Sequence, residues 1–378
     1  MHILFIAPRY HTNQHYWVKA LKDAGHSVSF WVRKKAGAEE YSLLEPRLVE
    51  PATRGDGHMR NTGAVRNSGH SRRRRVKRFS SLLETERPDA VVVRNPGEPF
   101  GKAALRALHR AGIPVVLYSQ RPLYYREARH RRLVTALLQW RMSVGRDDRY
   151  APWITPVRGD RRPNAKTPPN WHHIPFVMEP DPVAEQALGN RTWCPDGVRR
   201  VIMVAKYMAR KNHLLLVRAL HELSSHYPVS LELVGGAGHP DYTAVRAEVE
   251  AYIHEHKLDW VTLTPSVRYA ELQEKMRDFD LFVLPSRNEA VGVSLLEAMG
   301  KGLPVVCSTT TGARDYVEHG GNGRIFQSDS LSDLRDQLHE LLADPANLPA
   351  MGRRSLELVR TVHSPQAFLE RFTPLLRP

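Results

Sequence analysis

The sequence predicts an α/β protein built as two parallel-sheet domains. Three observations carry this. Short β-type runs alternate with helical patterns through almost all of the 378 residues, the order that βαβ units produce. Several of the runs are continuously apolar, as strands are when helices cover both faces of their sheet. An irregular stretch from Pro156 to Pro182, with RRPNAKTPPNWHHIPF and EPDP, divides the strands into two series. Prolines at that density disfavour helix and inner strand alike.

The first series is His2–Ile6, Ser27–Val32, Ala90–Val93, Pro114–Tyr118 and Trp153–Val157. Inside it, Pro51 to Arg78 is rich in Gly, Arg, Asn and His and includes SRRRRVKR; it reads as a long loop or insertion. Arg121 to Arg146 reads as a basic amphipathic helix, with Leu133, Val134, Leu137 and Leu138 on one face and Arg129, Arg131 and Arg132 beside them. The second series is Arg200–Val204, Ser230–Val234, Trp260–Leu263, Leu281–Leu284 and Pro304–Val306. A boundary near Ile174 to Pro182 gives an N-terminal domain over residues 1–177 and a C-terminal domain over 178–378, with the last helix a candidate to pack back on the N-terminal domain. Two Rossmann-like halves are expected, with a cleft between them. Ligands of such sheets sit at the carboxyl ends of the strands.

Composition narrows the partners. Only two cysteines occur, Cys194 and Cys307, with no metal-type spacing around either, so a disulfide framework is not expected and a reducing cytoplasm fits. The opening MHILFIAPRY is too short to span a bilayer and lacks the features of a secretion signal; it reads as a first strand. The net charge of +15 favours acidic partners. Its basic runs lack interleaved aromatics and carry no recognition motif, so nucleic acid is not the expected one. The basic segments 71–78 and 121–146 are candidates for peripheral contact with the inner membrane face.

The most informative stretch is NEAVGVSLLEAMGKGLPVV, where seven residues separate Glu289 from Glu297. It reads as loop, helix and strand, the helix starting near Gly292 or Val293 and stopping near Gly300 or Gly302. Glu289 then lies in the loop after a strand, and Glu297 one to two turns into the helix. The helix start offers free N–H groups to an anion, and each carboxylate can accept from two neighbouring hydroxyls. A sugar, a ribose and a diphosphate together would satisfy that set. Spacing alone is a weak signal, since glutamates at this interval occur by chance in many helices.

The flanking residues are specific. Pro285-Ser286, Glu289, Gly292, Leu296-Glu297-Ala298-Met299 and Gly302-Leu303-Pro304-Val305-Val306 resemble the glutamate-x7-glutamate signature of retaining glycosyltransferases of the GT-B fold, glycosyltransferase family 4 in particular. TTTGARDYVEHGGNGRIF resembles the family's following glycine loop. VAKYMARKNH resembles its Gly-Arg-Leu-x-x-x-Lys-Gly segment, with Lys206 at the arginine position and Lys211 at the lysine. LELVGGAGHPDY, with Gly235, Gly236 and Gly238, fits its next strand and turn. The resemblance runs from about Val201 to Phe326 and is most specific from Pro285 to Gly323.

The N-terminal half matches in outline only. Its first loop, RYHTNQHY, has no glycine, and Ser119-Gln120 stands where many members carry His-Asp. His11, His15 and Gln120 are therefore the acceptor-side candidates, with an ordinary packed or surface role the simpler reading for either histidine.

The resemblance implies GT-B architecture and a metal-independent transfer, with retained configuration, from a nucleotide-sugar to an acceptor hydroxyl. A UDP-sugar is favoured over a GDP-sugar. It gives Glu289, Lys211 and Lys206 to catalysis. Donor binding goes to Glu297, Gly235 and the segment Ala290, Val291, Gly292, Val293 and Ser294, chiefly through backbone N–H groups. No protein-bound cofactor or metal is implied. The acceptor is a small molecule or a lipid-linked glycan. A nucleotide-sugar epimerase or hydrolase of the same fold is the alternative enzyme, and a nucleic-acid or membrane-surface binder the alternative without catalysis.

Overall fold

A computed structural model describes residues 1–35, 41–49, 69–120, 151–159, 170–236 and 238–376. They form two compact units, Met1–Val177 with Pro365–Pro378, and Met178–Ser364.

The first unit is a seven-stranded parallel sheet. Its strands are β1 (His2–Ala7), β2 (Ser27–Val32), β3 (Arg47–Leu48), β4 (Ala90–Arg94), β5 (Val115–Tyr118), β6 (Trp153–Thr155) and β7 (Trp171–His173), in the order β3-β2-β1-β4-β5-β6-β7. Its helices among the described residues are α1 (His15–Asp23), α2 (Gly69–Glu86), α3 (Pro99–Ala111) and, from the end of the chain, α11 (Pro365–Phe372). The continuous apolar runs are central strands: all five residues of β4 are buried. Phe79 of α2 and Phe100 of α3 meet edge-on at 5.2 Å above them, and each such ring buried from water stabilises by roughly 1.5–3 kcal/mol. On another part of the unit Trp17 of α1 stacks on Phe368 of α11 at 5.4 Å.

The second unit is a six-stranded parallel sheet of β8 (Arg199–Val204), β9 (Val229–Val234), β10 (Val261–Thr264), β11 (Leu281–Leu284), β12 (Val305–Ser308) and β13 (Gly323–Phe326), in the order β10-β9-β8-β11-β12-β13. Helices α4 (Pro182–Ala187), α5 (His213–Leu223), α6 (Pro240–Glu255), α7 (Tyr269–Lys275), α8 (Val293–Gly300), α9 (Leu331–Ala343) and α10 (Leu348–Thr361) cover it. Leu216, Leu220, Phe282, Leu295 and Leu296 are fully buried between them.

Every strand pair is parallel, and in each sheet the strand order reverses once. From β1 the chain moves to β2 on one side, and from β4 to β5 on the other. From β8 it moves to β9, and from β11 to β12. The loops after β1 and β4, and after β8 and β11, therefore diverge, and such divergence opens a crevice at the carboxyl ends of the strands.

Three expectations change. The basic run 71–78 belongs to a helix and not to a loop: Val76, Phe79 and Leu83 of α2 are buried at helical spacing while Arg73, Arg74, Lys77 and Arg78 are exposed. The proline-rich stretch contributes a strand, β7, whose Trp171 stacks on Trp153 of β6 at 5.0 Å. Gly323–Phe326, at the end of the stretch that resembles the family's glycine loop, is an edge strand paired to β12. The basic amphipathic segment 121–146 lies outside the described residues.

Candidate active site

The crevice of the second unit holds most of the residues singled out from sequence. β11 is buried at all four positions, and the chain beyond it runs through Pro285 and Ser286 to Glu289. That loop is clamped to the loop after β12. The N–H of Gly312 donates to the Glu289 carbonyl at 2.9 Å, and that of Ala313 to the Val291 carbonyl at 2.6 Å. At Gly292 the backbone turns with φ +88°, and a Cβ there would stand 2.7 Å from Leu284 Cδ2. Only glycine fits both demands, and α8 starts at the next residue. Ser294 Oγ donates to the carbonyl of Val204 at 3.1 Å, fastening the first turn of α8 to the end of β8. That hydroxyl is committed, so the contribution expected of Ser294 rests on its backbone.

From the other side comes the loop after β8. Gly235, just beyond β9, is needed here because a Cβ would fall 1.9 Å from the Ala205 carbonyl oxygen. A single 3₁₀ turn, Ala209–Lys211, follows. It is laced to the Glu289 loop: the Arg287 N–H donates to the Arg210 carbonyl at 2.6 Å and Arg287 Nη2 to the Ala209 carbonyl at 3.1 Å. The two loops bring together charges distant in sequence. Arg210 Nη1 and Lys211 Nζ both donate to Glu289 Oε2. Lys211 is largely buried and Arg210 half-exposed. Burial pushes the Lys211 ammonium below its usual range, Glu289 opposes this, and the charges of Arg210 and Lys206 reinforce it. Lys206 itself is exposed and makes no ion pair among the described residues. Arg210 was missed from sequence; its signal is its place beside Lys211 in ARKN.

Glu297 is on the second turn of α8, 9% exposed between fully buried Leu296 and Ala298. Burial pushes its carboxyl up to about 7, against the opposing pull of Lys301 and a hydrogen bond to the side chain of Tyr269. Tyr269, the first residue of α7, carried no sequence signal for this role, because its partner comes from a different βα unit. Lys301, just past α8, donates to buried Asp181, which also accepts from Arg277 Nε at 2.9 Å and caps α4. This network anchors the rear of α8.

The acceptor-side candidates lie in the first unit. His11 follows β1 and accepts from Arg9 Nε at 3.0 Å. His15 opens α1, its ring edge-on to Tyr16 at 5.4 Å. Gln120 lies just past β5 and donates to the Tyr118 hydroxyl at 3.2 Å.

Residues 193–356 match the family model of the glycosyl transferases group 1. Those residues are a group 1 glycosyl transferase domain. The domain begins after α4 and contains both loops of the Glu289 crevice. Among relatives, a GDP-mannose-dependent α-(1-6)-phosphatidylinositol monomannoside mannosyltransferase of Mycolicibacterium smegmatis is 30% identical over 181 residues, 46% of this chain and 46% of that protein. A D-inositol 3-phosphate glycosyltransferase of Xylanimonas cellulosilytica is 34% identical over 166 residues, 43% of this chain and 39% of that protein. The chain thus spans about half the length, or less, of the curated relatives it matches. The whole fold is that of GT-B structures. A glycosyltransferase from Rickettsia africae superimposes with a TM-score of 0.72 at 14% identity, over 99% of this chain and 97% of that one. Anabaena HepE, in complex with UDP and glucose, does so with 0.69 at 16% identity, over 100% and 99%. Among the described residues no helix is long and apolar enough to cross a membrane.

Proposed function

We propose that the chain is a retaining, metal-independent glycosyltransferase that moves a sugar from a UDP- or GDP-sugar to an acceptor hydroxyl. The second unit takes the donor and the first unit the acceptor. One observation carries the reading: two loops diverging from the β8–β11 reversal hold Glu289 against Arg210 and Lys211, with exposed Lys206 beside them. The relatives' names support the donor class, GDP-mannose in one, and so does the UDP bound to HepE.

The chemistry follows from the charges. The bond from the sugar's anomeric carbon to the diphosphate breaks, and negative charge grows on the leaving oxygen. Lys206, Arg210, Lys211 and the N-terminal end of α8 are fixed where that charge develops, and preorganised charge of this kind lowers such a barrier by a few kcal/mol. Glu289, already aimed into the crevice, accepts from the donor sugar's hydroxyls. Glu297 accepts from the ribose hydroxyls. The acceptor oxygen bonds to the same face of the anomeric carbon, and its proton passes to the released diphosphate. The exposed arginines and lysine of α2, above a buried apolar stripe, support peripheral contact with an anionic cytoplasmic membrane face when the acceptor is lipid-linked.

The test is product analysis. The full chain is incubated with UDP-glucose or GDP-mannose, with and without inositol 3-phosphate or phosphatidylinositol vesicles, and the anomeric proton coupling of any product is read by NMR. A new glycoside of unchanged anomeric configuration is the expected result. Inverted product contradicts retention. Free or epimerised sugar formed equally well without acceptor points to a hydrolase or epimerase.

A further inference from the structure

The first unit has its own strand-order reversal, between β1 and β4, and a buried cation stands at it. Arg94 is the last residue of β4 and is only 9% exposed. No carboxylate faces it among the described residues. Its partners are neutral: Nη1 donates to Gln14 Oε1 at 3.3 Å, and the guanidinium lies 5.4 Å from the ring centroid of Tyr118, its register partner on β5. A guanidinium carries five N–H donors, and one long bond plus one ring contact leave most of them unused. A charge taken out of water without a counter-ion is strongly unfavourable. Gln14 ends the loop after β1. It is fully buried, and its Nε2 has no hydrogen-bond partner. Two buried groups with unused N–H donors therefore meet where the loops after β1 and β4 diverge, the place where ligands of such sheets bind.

We infer that Arg94, oriented by Gln14 and backed by Tyr118, binds an anionic group of the acceptor, a phosphate or carboxylate. The inference rests on the reading of the first unit as the acceptor unit. A planar fork with free donors matches the paired oxygens of such a group. The acceptor is then an acidic or phosphorylated polyol, free or as a lipid headgroup, and a neutral sugar is a poor one. None of the three acceptor-side residues chosen from sequence carries a permanent charge; Arg94 does.

Calorimetric binding on the full chain tests this with inorganic phosphate, inositol 3-phosphate, inositol, and phosphatidylinositol vesicles as probes. The variants are Arg94→Gln, Arg94→Lys and Lys211→Ala. Inositol 3-phosphate is expected to bind the wild type and Lys211→Ala alike. It should bind Arg94→Gln at least about tenfold more weakly, and inositol should bind none of them. Vesicle binding lost in Arg94→Gln, with the soluble probe inert, assigns the anion to a lipid headgroup and supports the inference equally.

The thermal midpoint of Arg94→Gln should equal or exceed that of the wild type, because an uncompensated buried charge is removed. A lower midpoint with unchanged probe binding makes Arg94 structural and overturns the inference. Probe binding lost in Lys211→Ala and kept in Arg94→Gln assigns the anion to the donor crevice and also overturns it, as does a wild type that binds no probe. Should Arg94→Gln not fold, Arg94→Lys decides: it keeps the charge without the fork, and unweakened binding contradicts the inference. UDP and GDP are titrated into the same proteins. Nucleotide binding that survives in Arg94→Gln leaves the donor reading standing whatever the phosphate arm shows.

Discussion

Glu297 stores a pH dependence in one side chain. Its carboxyl is raised from 4.5 to about 7 by burial, so the folded protein holds this proton more tightly than the unfolded chain. The folded state is undisturbed by it below pH 4.5, and stability is lost as pH rises from 4.5 to about 7. Glu297→Gln removes the ionisation. It should stabilise the protein by up to about 3 kcal/mol above pH 7 and by almost nothing below pH 4.5, measured as the difference in denaturant unfolding between the two proteins at each pH. An equal difference at both ends would mean that the carboxyl does not titrate in this range. The same position has a proposed role in donor binding. Glu297→Ala should mainly raise donor KM, whereas Lys211→Ala should lower kcat by about a hundredfold through lost transition-state stabilisation. Steady-state kinetics separate the two, and matching effects on both parameters would contradict the division of roles.

At the scale of elements, the turn into α8 is the sharpest constraint. Gly292→Ala must hold φ near +88° with a methyl 2.7 Å from Leu284 Cδ2, so a stability loss of roughly 1–3 kcal/mol is expected in urea unfolding. An unchanged midpoint would mean that the loop relaxes freely, and that α8 is not held against β11. Elements were legible in proportion to how much apolar surface they bury. β1, β4, β8 and β11 announce themselves as continuous apolar runs. β3 is two exposed residues, Arg47 and Leu48. β7 hides among prolines, and β13 begins with glycine; each is placed by pairing to a neighbour, which no local pattern encodes. In α2 the arginine run masked a readable signal, Val76, Phe79 and Leu83 at helical spacing. In the candidate site, Glu289, Lys211 and Lys206 could be singled out because a motif marks them. Arg210, Tyr269 and Arg94 were not, because each acquires its partner only when loops from different βα units meet.

On the scale of the whole molecule, two sheets of the same design each place charge at their strand-order reversal. Among the described residues, a carboxylate and three cations converge there in the second unit, and one buried guanidinium stands there in the first. The excess of basic over acidic residues suits the proposed reading, in which donor and acceptor are both anionic. The central claim is that the crevice between the β8 and β11 loops binds a nucleoside diphosphate through side-chain charge. Thermal unfolding of the full chain and of Lys211→Ala, with UDP, GDP, ADP, dTDP or CMP and with or without magnesium, tests it most directly. A nucleotide at about 100 times its Kd stabilises by about 2.7 kcal/mol, a shift of several degrees. The account predicts such a shift for UDP or GDP, indifferent to magnesium and largely lost in Lys211→Ala. No shift with any nucleotide, a shift that requires magnesium, or one that survives undiminished in Lys211→Ala would contradict it.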